Sequence, residues 1–212
     1  MNENHPNFLN LSLSTQSPPP PHHQTTVTAR PSRQRRPTRR PMNHNIGPDR
    51  PITIPPPYPW ATAQRATAHT LHYMQSKGIN TISGAVQCKR CKRRFDVEYD
   101  LQNKFSEVAV FFMKKKYDMH QRAPPEWMNP SLPDCRFCGQ KKCGKPVRPE
   151  KKKDINWVFL FVGQMIGCCK LAELRYFCKH TGYHRTGAKD RVLYLTYLEI
   201  CRQLDPNGTY EL

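Results

Sequence analysis

After residue 59 the apolar positions follow clear short periods, whereas the preceding segment shows almost none. One helical face is suggested by the spacing of Trp60, Ala63, Thr67, Leu71 and Met74. Gly78 supplies a stop signal, so the pattern predicts a helix from about residue 60. "NTISGAVQC" then predicts a strand, and "RFDVEYD" predicts a second, because apolar and charged residues alternate in it. The two strands should form a hairpin whose tip is "CKRC".

Helical spacing returns after the hairpin. One face carries Leu101, Phe105, Val108 and Phe112, although "VAVFFM" fits a strand equally well. A proline-rich loop, "RAPPEWMNPSLPD", and a basic linker, "CGKPVRPEKKKD", lead into two or three further helices. Within that region "INWVFLFVGQMIGCC" is too short to span a bilayer and contains two amides. It predicts a buried core helix.

The last predicted helix begins near Thr186 and has more than one apolar face. Its apolar positions are Val192, Leu193, Leu195, Tyr197, Leu198, Ile200, Cys201 and Leu204. The helix should therefore be largely buried, and it should end before Pro206 and Gly208.

Composition divides the chain. Residues 1–59 hold fourteen of the 21 prolines and none of the nine cysteines. Such a segment cannot bury enough apolar surface to offset its chain entropy. We therefore expect a disordered arm over 1–53, one folded domain over 54–206 and a short tail over 207–212. The predicted fold class is α+β, with a zinc-ribbon-like β-hairpin and several helices.

Four cysteines carry the most specific chemical signal. Cys88-x-x-Cys91 and Cys135-x-x-Cys138 each present two thiolates from one tight turn, as a structural zinc site requires. The first 13 residues lack the basic start and apolar run of a signal peptide, so we expect reduced cysteines and no membrane partner. Four thiolates leave no open position for water, which favours structural Zn²⁺ over catalytic Zn²⁺. Cys143 is predicted to be a spare thiol.

A second metal site is a less favoured interpretation of "FCKHTGYHRTGAKDR". Its candidate ligands are Cys178, His180 and His184, together with Cys168 or Cys169. The spacing follows no standard zinc finger, and a buried cysteine with surface histidines is the commoner arrangement.

The net charge of +18 favours a negatively charged partner, with DNA or RNA the commonest. Candidate nucleic-acid-binding residues are Lys89, Arg90, Lys92, Arg93, Arg94, Arg185, Lys189 and Arg191. Arg136, Lys141 and Lys142 crowd the second cysteine pair. Alternatively, the cations near the cysteines serve only to offset the charge of about −2 on zinc with four thiolates.

Catalytic constellations are missing from the sequence pattern. Acidic residues are few and scattered, and "TGAK" lacks the rest of a phosphate-binding loop. We therefore expect no enzyme activity, and a nuclease using His180 or His184 is the least favoured alternative.

Two short signals lie in the arm. "RQRRPTRRP" is an arginine cluster of the kind read by import receptors, formed by Arg33, Arg35, Arg36, Arg39 and Arg40. In an extended segment Leu9, Leu11 and Leu13 project to one side, which suits a peptide that docks in a partner's groove. These signals predict a nuclear protein with a docking peptide.

Two resemblances add to this interpretation. "LNLSL" resembles the EAR repression motif of plant transcriptional regulators, which recruits co-repressors of the Topless type. The segment from about 54 to 206 resembles an uncharacterised plant domain-of-unknown-function family, number seven-zero-eight-six. The likeness is carried by "PPYPWAT", "TISGAVQCKRC", "INWVFLFVGQMIGCC" and "FCKHTGYHRTGAKDRVLYLTYL". It implies a plant source and no established biochemistry.

Together these observations predict a plant nuclear zinc-binding regulatory protein. It would recruit a co-repressor through Leu9, Leu11 and Leu13, and its basic domain would contact nucleic acid. The alternative is a zinc-stabilised protein-interaction adaptor without nucleic-acid binding.

Overall fold

The computed structural model describes residues 53–210. That part of the chain is α+β, with a three-stranded antiparallel sheet and six α-helices. The elements are α1 (Leu71–Ser76), β1 (Thr81–Cys88), β2 (Arg94–Asp100), α2 (Leu101–Met119), α3 (Pro125–Met128), β3 (Gly144–Pro146), α4 (Trp157–Val162), α5 (Leu171–His180) and α6 (Lys189–Leu204). The predicted arm, with its leucine peptide and arginine cluster, lies outside the described residues.

The predicted hairpin is confirmed. β1 and β2 pair in antiparallel register from Thr81 opposite Asp100 to Gln87 opposite Arg94, so the first cysteine pair lies at the tip. β3 was not predicted, because three residues inside a proline-containing basic linker carry no strand pattern. It pairs with the other edge of β1, which gives the strand order β2-β1-β3.

α2 settles the ambiguity of "VAVFFM" in favour of a helix. Its N-cap is Asp100, whose carboxylate accepts a 2.7 Å hydrogen bond from the Asn103 N–H. Phe105, Val108 and Phe112 are buried, as the helical spacing predicted. These residues form one apolar stripe along the helix, and the stripe packs into the core. A helix buries residues three or four apart, whereas a strand would bury alternate residues, so this burial pattern favours the helix.

The helix predicted from residue 60 is wrong over its first half. α1 begins only at Leu71, after Thr70, whose side chain accepts a hydrogen bond from the Tyr73 N–H as an N-cap. Before it, Ala61 and Ala68 form an isolated antiparallel bridge around Ala66, whose φ is 61°. A left-handed residue inside the segment breaks a continuous α-helix.

The apolar run 155–169 is buried as expected but is not one helix. α4 covers only its first part and ends at Val162, with Gly163 as the C-cap, and Gln164 then takes a φ of 52°. A single 3₁₀ turn follows at Ile166–Cys168. All six side chains of α4 are buried, so hydrophobicity placed this segment correctly but could not reveal its bend.

α6 is the central helix of the core. It starts at Lys189, three residues after the predicted start, and the eight predicted apolar positions are all buried. Tyr197 stacks on Trp127 of α3, with ring centroids 3.9 Å apart and planes 14° apart. The helix ends at Leu204, ahead of Pro206 as predicted.

The chain folds back after α6. Tyr210 is only 6% exposed, and its ring lies 6.2 Å from that of Phe112 on α2. The Arg202 side chain also donates a hydrogen bond of 2.6 Å to the Tyr210 carbonyl. Part of the expected tail therefore packs on the core. Within residues 53–210 no helix is both long and apolar enough to cross a membrane.

Candidate metal centre

The first cysteine pair occupies a tight turn between β1 and β2. The Cys88 N–H donates to the Arg93 carbonyl at 3.0 Å, and the Lys92 N–H donates back to the Cys88 carbonyl at 3.1 Å. The Arg90 N–H points at the Cys88 sulfur at 3.3 Å. Lys92 closes the turn with a φ of 61°. We call residues 88–93 the first knuckle.

The second pair repeats this geometry. The Cys135 N–H donates to the Gln140 carbonyl at 2.9 Å, and the Gly139 N–H donates to the Cys135 carbonyl at 3.0 Å. The Phe137 N–H points at the Cys135 sulfur at 3.4 Å. Gly139 has a φ of 66°, matching Lys92 in the first knuckle. Residues 135–140 are therefore a second knuckle of the same type.

The two knuckles face each other through their sulfurs. The Cys88 and Cys138 sulfurs are 3.7 Å apart, and those of Cys91 and Cys135 are 3.6 Å apart. All four sulfurs lie within 4.8 Å of one another. A tetrahedron with Zn–S bonds of about 2.3 Å has S···S edges of about 3.8 Å. The four cysteines can therefore hold one metal ion.

β3 explains how a gap of more than forty residues between the pairs is bridged. Its first residue, Gly144, lies opposite Cys88 in the sheet, and the Lys89 N–H donates to the Cys143 carbonyl at 3.0 Å. Behind the second knuckle the Pro133 carbonyl accepts from the Cys143 and Gly144 N–H groups at 3.1 and 2.8 Å. Backbone pairing between these segments thus holds the two knuckles next to each other.

Cys143 is a fifth cysteine beside this cluster. Its sulfur lies 3.4 Å from that of Cys88 and 3.0 Å from the Gln140 carbonyl. It is 4% exposed and does not belong to the convergent set of four. The sequence predicted a spare thiol at Cys143, because no local pattern indicated that β3 would bring it against Cys88.

The pKa values of Cys88 and Cys143 are shifted in opposite directions. Burial acts to raise the pKa of Cys88, but hydrogen bonds from the Cys91 N–H, the Cys143 thiol and the Arg90 N–H outweigh burial and lower the pKa to about 6. Burial and the adjacent Cys88 sulfur raise the pKa of Cys143 to about 11. Cys88 belongs to the convergent set of four sulfurs and Cys143 does not, so the geometry assigns Cys88 as the metal ligand and Cys143 as its neighbour.

The residues of the predicted second metal site do not come together. Cys178 is fully buried on α5, and Thr196 of α6 hydrogen-bonds to its sulfur. His184 is exposed in the loop before α6, and His180 lies against the Tyr176 ring. Cys168 is half-buried in the 3₁₀ turn. A buried thiol facing the core cannot share an ion with an exposed loop histidine, so within residues 53–210 only the knuckle cysteines converge.

The predicted basic residues fall into two groups. The first group is exposed at the first knuckle or at the start of β2: Lys89, Arg90, Lys92, Arg93 and Arg94. Over residues 53–210 none of these five pairs with a carboxylate. The second group precedes or opens α6, where Lys189 donates a 2.6 Å hydrogen bond to the Gly167 carbonyl. Arg185 and Arg191 are exposed.

Comparison with known proteins identifies a family. A family model described as a domain of unknown function, DUF7086, matches residues 71–204, which include both knuckles and helices α1 to α6. No curated protein and no solved structure matches the chain.

Proposed function

Since this chain belongs to the DUF7086 family, a domain of unknown function, we propose its role from the site itself. The protein is a zinc-stabilised nuclear regulator whose basic knuckle surface contacts nucleic acid and whose arm recruits a co-repressor. The observation that carries the proposal is the pair of matching knuckles, with four convergent sulfurs inside and unpaired cations outside.

Zinc is the metal that the donor set favours. Four thiolates in a tetrahedron suit Zn²⁺ or an iron–sulfur centre, and a closed site of this kind has a structural role. N–H groups of both knuckles point at the sulfurs, which offsets the charge of the thiolates. Zinc binding would supply on the order of 10 kcal/mol to folding.

A chelation experiment tests whether zinc stabilises the fold. Purified protein is analysed for metal content and then melted with and without a strong chelator, with circular dichroism as the signal. We expect about one zinc per chain, and loss of the cooperative melt once zinc is removed. Iron in place of zinc, or a melt that chelation leaves unchanged, contradicts the structural zinc site.

The charge distribution supports nucleic-acid contact. The five cations of the first knuckle and adjoining β2 are exposed and fall within six consecutive residues, 89–94, and within residues 53–210 none of them forms an ion pair. Unpaired surface cations can exchange counterions for phosphates, which gives an affinity that falls with salt.

Matched charge variants test nucleic-acid contact. The double variant Arg90→Gln/Lys92→Gln removes two knuckle charges, and Lys114→Gln/Lys115→Gln removes two exposed charges from α2. We expect the knuckle variant to weaken binding to an oligonucleotide and to lower the slope of log K against log salt by about 2. The α2 variant should stay near wild type. Equal effects of the two variants, or no binding at low salt, contradict the proposal.

The arm supports a regulatory role through its sequence alone. Leu9, Leu11 and Leu13 form the docking peptide, and the arginine cluster would direct nuclear import. Affinity purification from plant nuclei compares the wild type with a triple Leu→Ala variant, with Asn10→Ala/Ser12→Ala as the matched control. We expect Topless-type co-repressor from the wild type and the control only. Equal recovery from all three contradicts co-repressor docking by the leucines.

A second candidate function is a protein-interaction adaptor. It is favoured by three exposed apolar residues at helical spacing on α2, namely Val110, Met113 and Tyr117, of which Tyr117 is 78% exposed. An exposed apolar stripe is typical of a protein contact. The charge variants distinguish the two functions, because an adaptor without nucleic-acid contact does not bind the oligonucleotide.

A further inference from the structure

Phe137 is an exposed aromatic residue inside the second knuckle. Its side chain is 45% exposed, although most large apolar side chains of the described part are buried. The Phe137 N–H points at the Cys135 sulfur, so the knuckle fixes the backbone that carries the ring. The equivalent position of the first knuckle is Arg90, which shows that the turn itself does not require an aromatic residue.

Residues from both knuckle segments surround this ring. The guanidinium carbons of Arg93 and Arg136 each lie 5.3 Å from the centroid of Phe137. The ring meets Phe95 of β2 edge to face, with centroids 5.9 Å apart and planes 84° apart. Phe95 is buried and therefore anchors the exposed ring to the core. We call Arg93, Arg136 and Phe137 the aromatic platform.

The charge around the platform is strongly positive. The neighbouring acid, Asp134, is paired with the Lys141 ammonium at 3.0 Å and accepts from the Lys142 N–H at 2.7 Å. Within residues 53–210, Arg93 and Arg136 contact no carboxylate. Both guanidinium groups lie over the apolar ring, and an unpaired base can stack on such guanidinium–ring pairs while the cations attract the adjoining phosphates.

We propose that the aromatic platform binds single-stranded nucleic acid by stacking one unpaired base on Phe137, Arg93 and Arg136. This inference rests on the proposed nucleic-acid contact and adds the class of strand that is bound. Bases in a duplex are stacked on each other and offer only their edges, so a ring on a protein surface cannot reach their faces. A single strand presents base faces and phosphates together.

The experiment measures binding of the zinc-loaded full chain to four fluorescent probes by anisotropy. The probes are a pyrimidine 12-mer as DNA, the same 12-mer as RNA, its DNA duplex, and an abasic 12-mer with the same phosphates. Phe137→Ala should weaken binding to both single strands by about 5- to 100-fold, from the usual contribution of one stacked base. Binding to the duplex and to the abasic strand should stay within about 2-fold.

Three variants separate stacking from other effects. Phe137→Trp should retain single-strand binding, and its indole fluorescence should fall when a base stacks on it. Phe137→Leu keeps an apolar side chain without a flat ring and should behave as Phe137→Ala does. Tyr117→Ala removes an exposed ring of α2 that lies 5.1 Å from the Lys116 ammonium, so it is the matched control and should bind as wild type does.

The outcomes distinguish this inference from the proposed function. If Phe137→Ala and Phe137→Leu bind single strands as wild type does while the knuckle charge variant is weakened, stacking is wrong and nucleic-acid contact stands. A loss that is equal for the base-bearing and abasic strands also overturns stacking. If the wild type binds none of the probes at low salt, both proposals fail. Zinc content and thermal melting of each variant identify any that do not fold. If Phe137→Ala and Phe137→Leu do not fold, the indole fluorescence of Phe137→Trp decides between the outcomes. A fall on binding of a single strand supports stacking, and unchanged fluorescence overturns it.

Discussion

The sulfur of Cys143 lies beside the four clustered sulfurs but does not converge with them. It is 3.4 Å from the Cys88 sulfur, and its thiol donates to the Gln140 carbonyl at 3.0 Å. A side chain that is held against a ligand without binding the metal orients that ligand and tunes metal affinity. Cys143 is thus a supporting residue of the site.

Substitutions at Cys143 and Cys135 should therefore have different consequences. We expect Cys135→Ser to lose most of its bound metal, whereas Cys143→Ala keeps about one metal per chain. Cys143→Ala should release metal to a competing chelator about 10-fold more readily, because the sulfur packed against Cys88 is gone. Cys143→Ser restores a donor and should lie closer to wild type. Complete loss of metal from both Cys143 variants would identify Cys143 as a ligand.

The left-handed residues of the two knuckles give a second prediction. Gly139 has φ 66° with no neighbouring atom within 4 Å of an added Cβ, so Gly139→Ala changes only backbone strain. It should lower the free energy of unfolding by about 1 kcal/mol. Lys92 has the same conformation, and Lys92→Gly should raise that free energy by up to about 1 kcal/mol. Urea unfolding of the zinc-loaded protein measures the free energy of unfolding of both variants. If Gly139→Ala and Lys92→Gly changed that free energy in the same direction, the shared geometry of the two knuckles would be contradicted.

Asn156 joins three elements through one side chain. As the N-cap of α4 it accepts from the Phe159 N–H at 3.2 Å, and its oxygen also accepts from the Trp60 indole at 2.9 Å. Its amide nitrogen donates to the Ser83 carbonyl of β1 at 3.0 Å. These bonds connect α4 to the sheet that carries the first knuckle, so helix packing and site geometry are coupled.

Removing this side chain should destabilise the domain. Asn156→Ala deletes an N-cap and leaves a buried indole N–H and a strand carbonyl without this partner, so we expect a loss of about 2–3 kcal/mol in unfolding free energy. Asn129→Ala is the control, because Asn129 is exposed at the end of α3. The measurement is chemical denaturation of both variants, and an Asn156→Ala effect as small as that of the control would contradict the linking role.

The described part of the molecule is held together across its whole length. The segment around Trp60 packs near α4, and Tyr210, after the last helix, packs on α2. Tyr210 is buried, and the Arg202 side chain donates a hydrogen bond to the Tyr210 carbonyl. The C-terminal segment therefore contributes to the core, although its sequence, "DPNGTYEL", resembles a polar tail.

Truncation tests the extent of the folded unit. We expect a fragment of residues 53–212 to keep the metal content and the melting temperature of the full chain. A fragment of residues 53–206 should melt lower, since it loses the buried ring of Tyr210. Tyr210→Ala in the full chain should cost about 3–5 kcal/mol, as for other buried aromatic residues. Equal melting of the two fragments would contradict a structural role for this segment.

Sequence alone determined what depends on local order along the chain. The strand pattern of "NTISGAVQC" predicted β1, and alternation in "RFDVEYD" predicted β2. Helical spacing predicted α6 and left α2 open between helix and strand over "VAVFFM", while the C-x-x-C spacing predicted two knuckles. Each signal arises within a few residues, because strand and helix periods and tight turns are local properties. Hydrophobicity likewise identified residues 155–169 as part of the core, but it did not predict the bend after α4.

Only the tertiary structure decided which distant residues meet. β3 brings Cys143 against Cys88, and the facing of the knuckles brings Arg93 over the ring of Phe137. The same long-range packing keeps Cys178 in the core and away from His184, and it buries Tyr210. These contacts depend on strand pairing and helix packing between segments far apart in sequence, and no local pattern of residues encodes them.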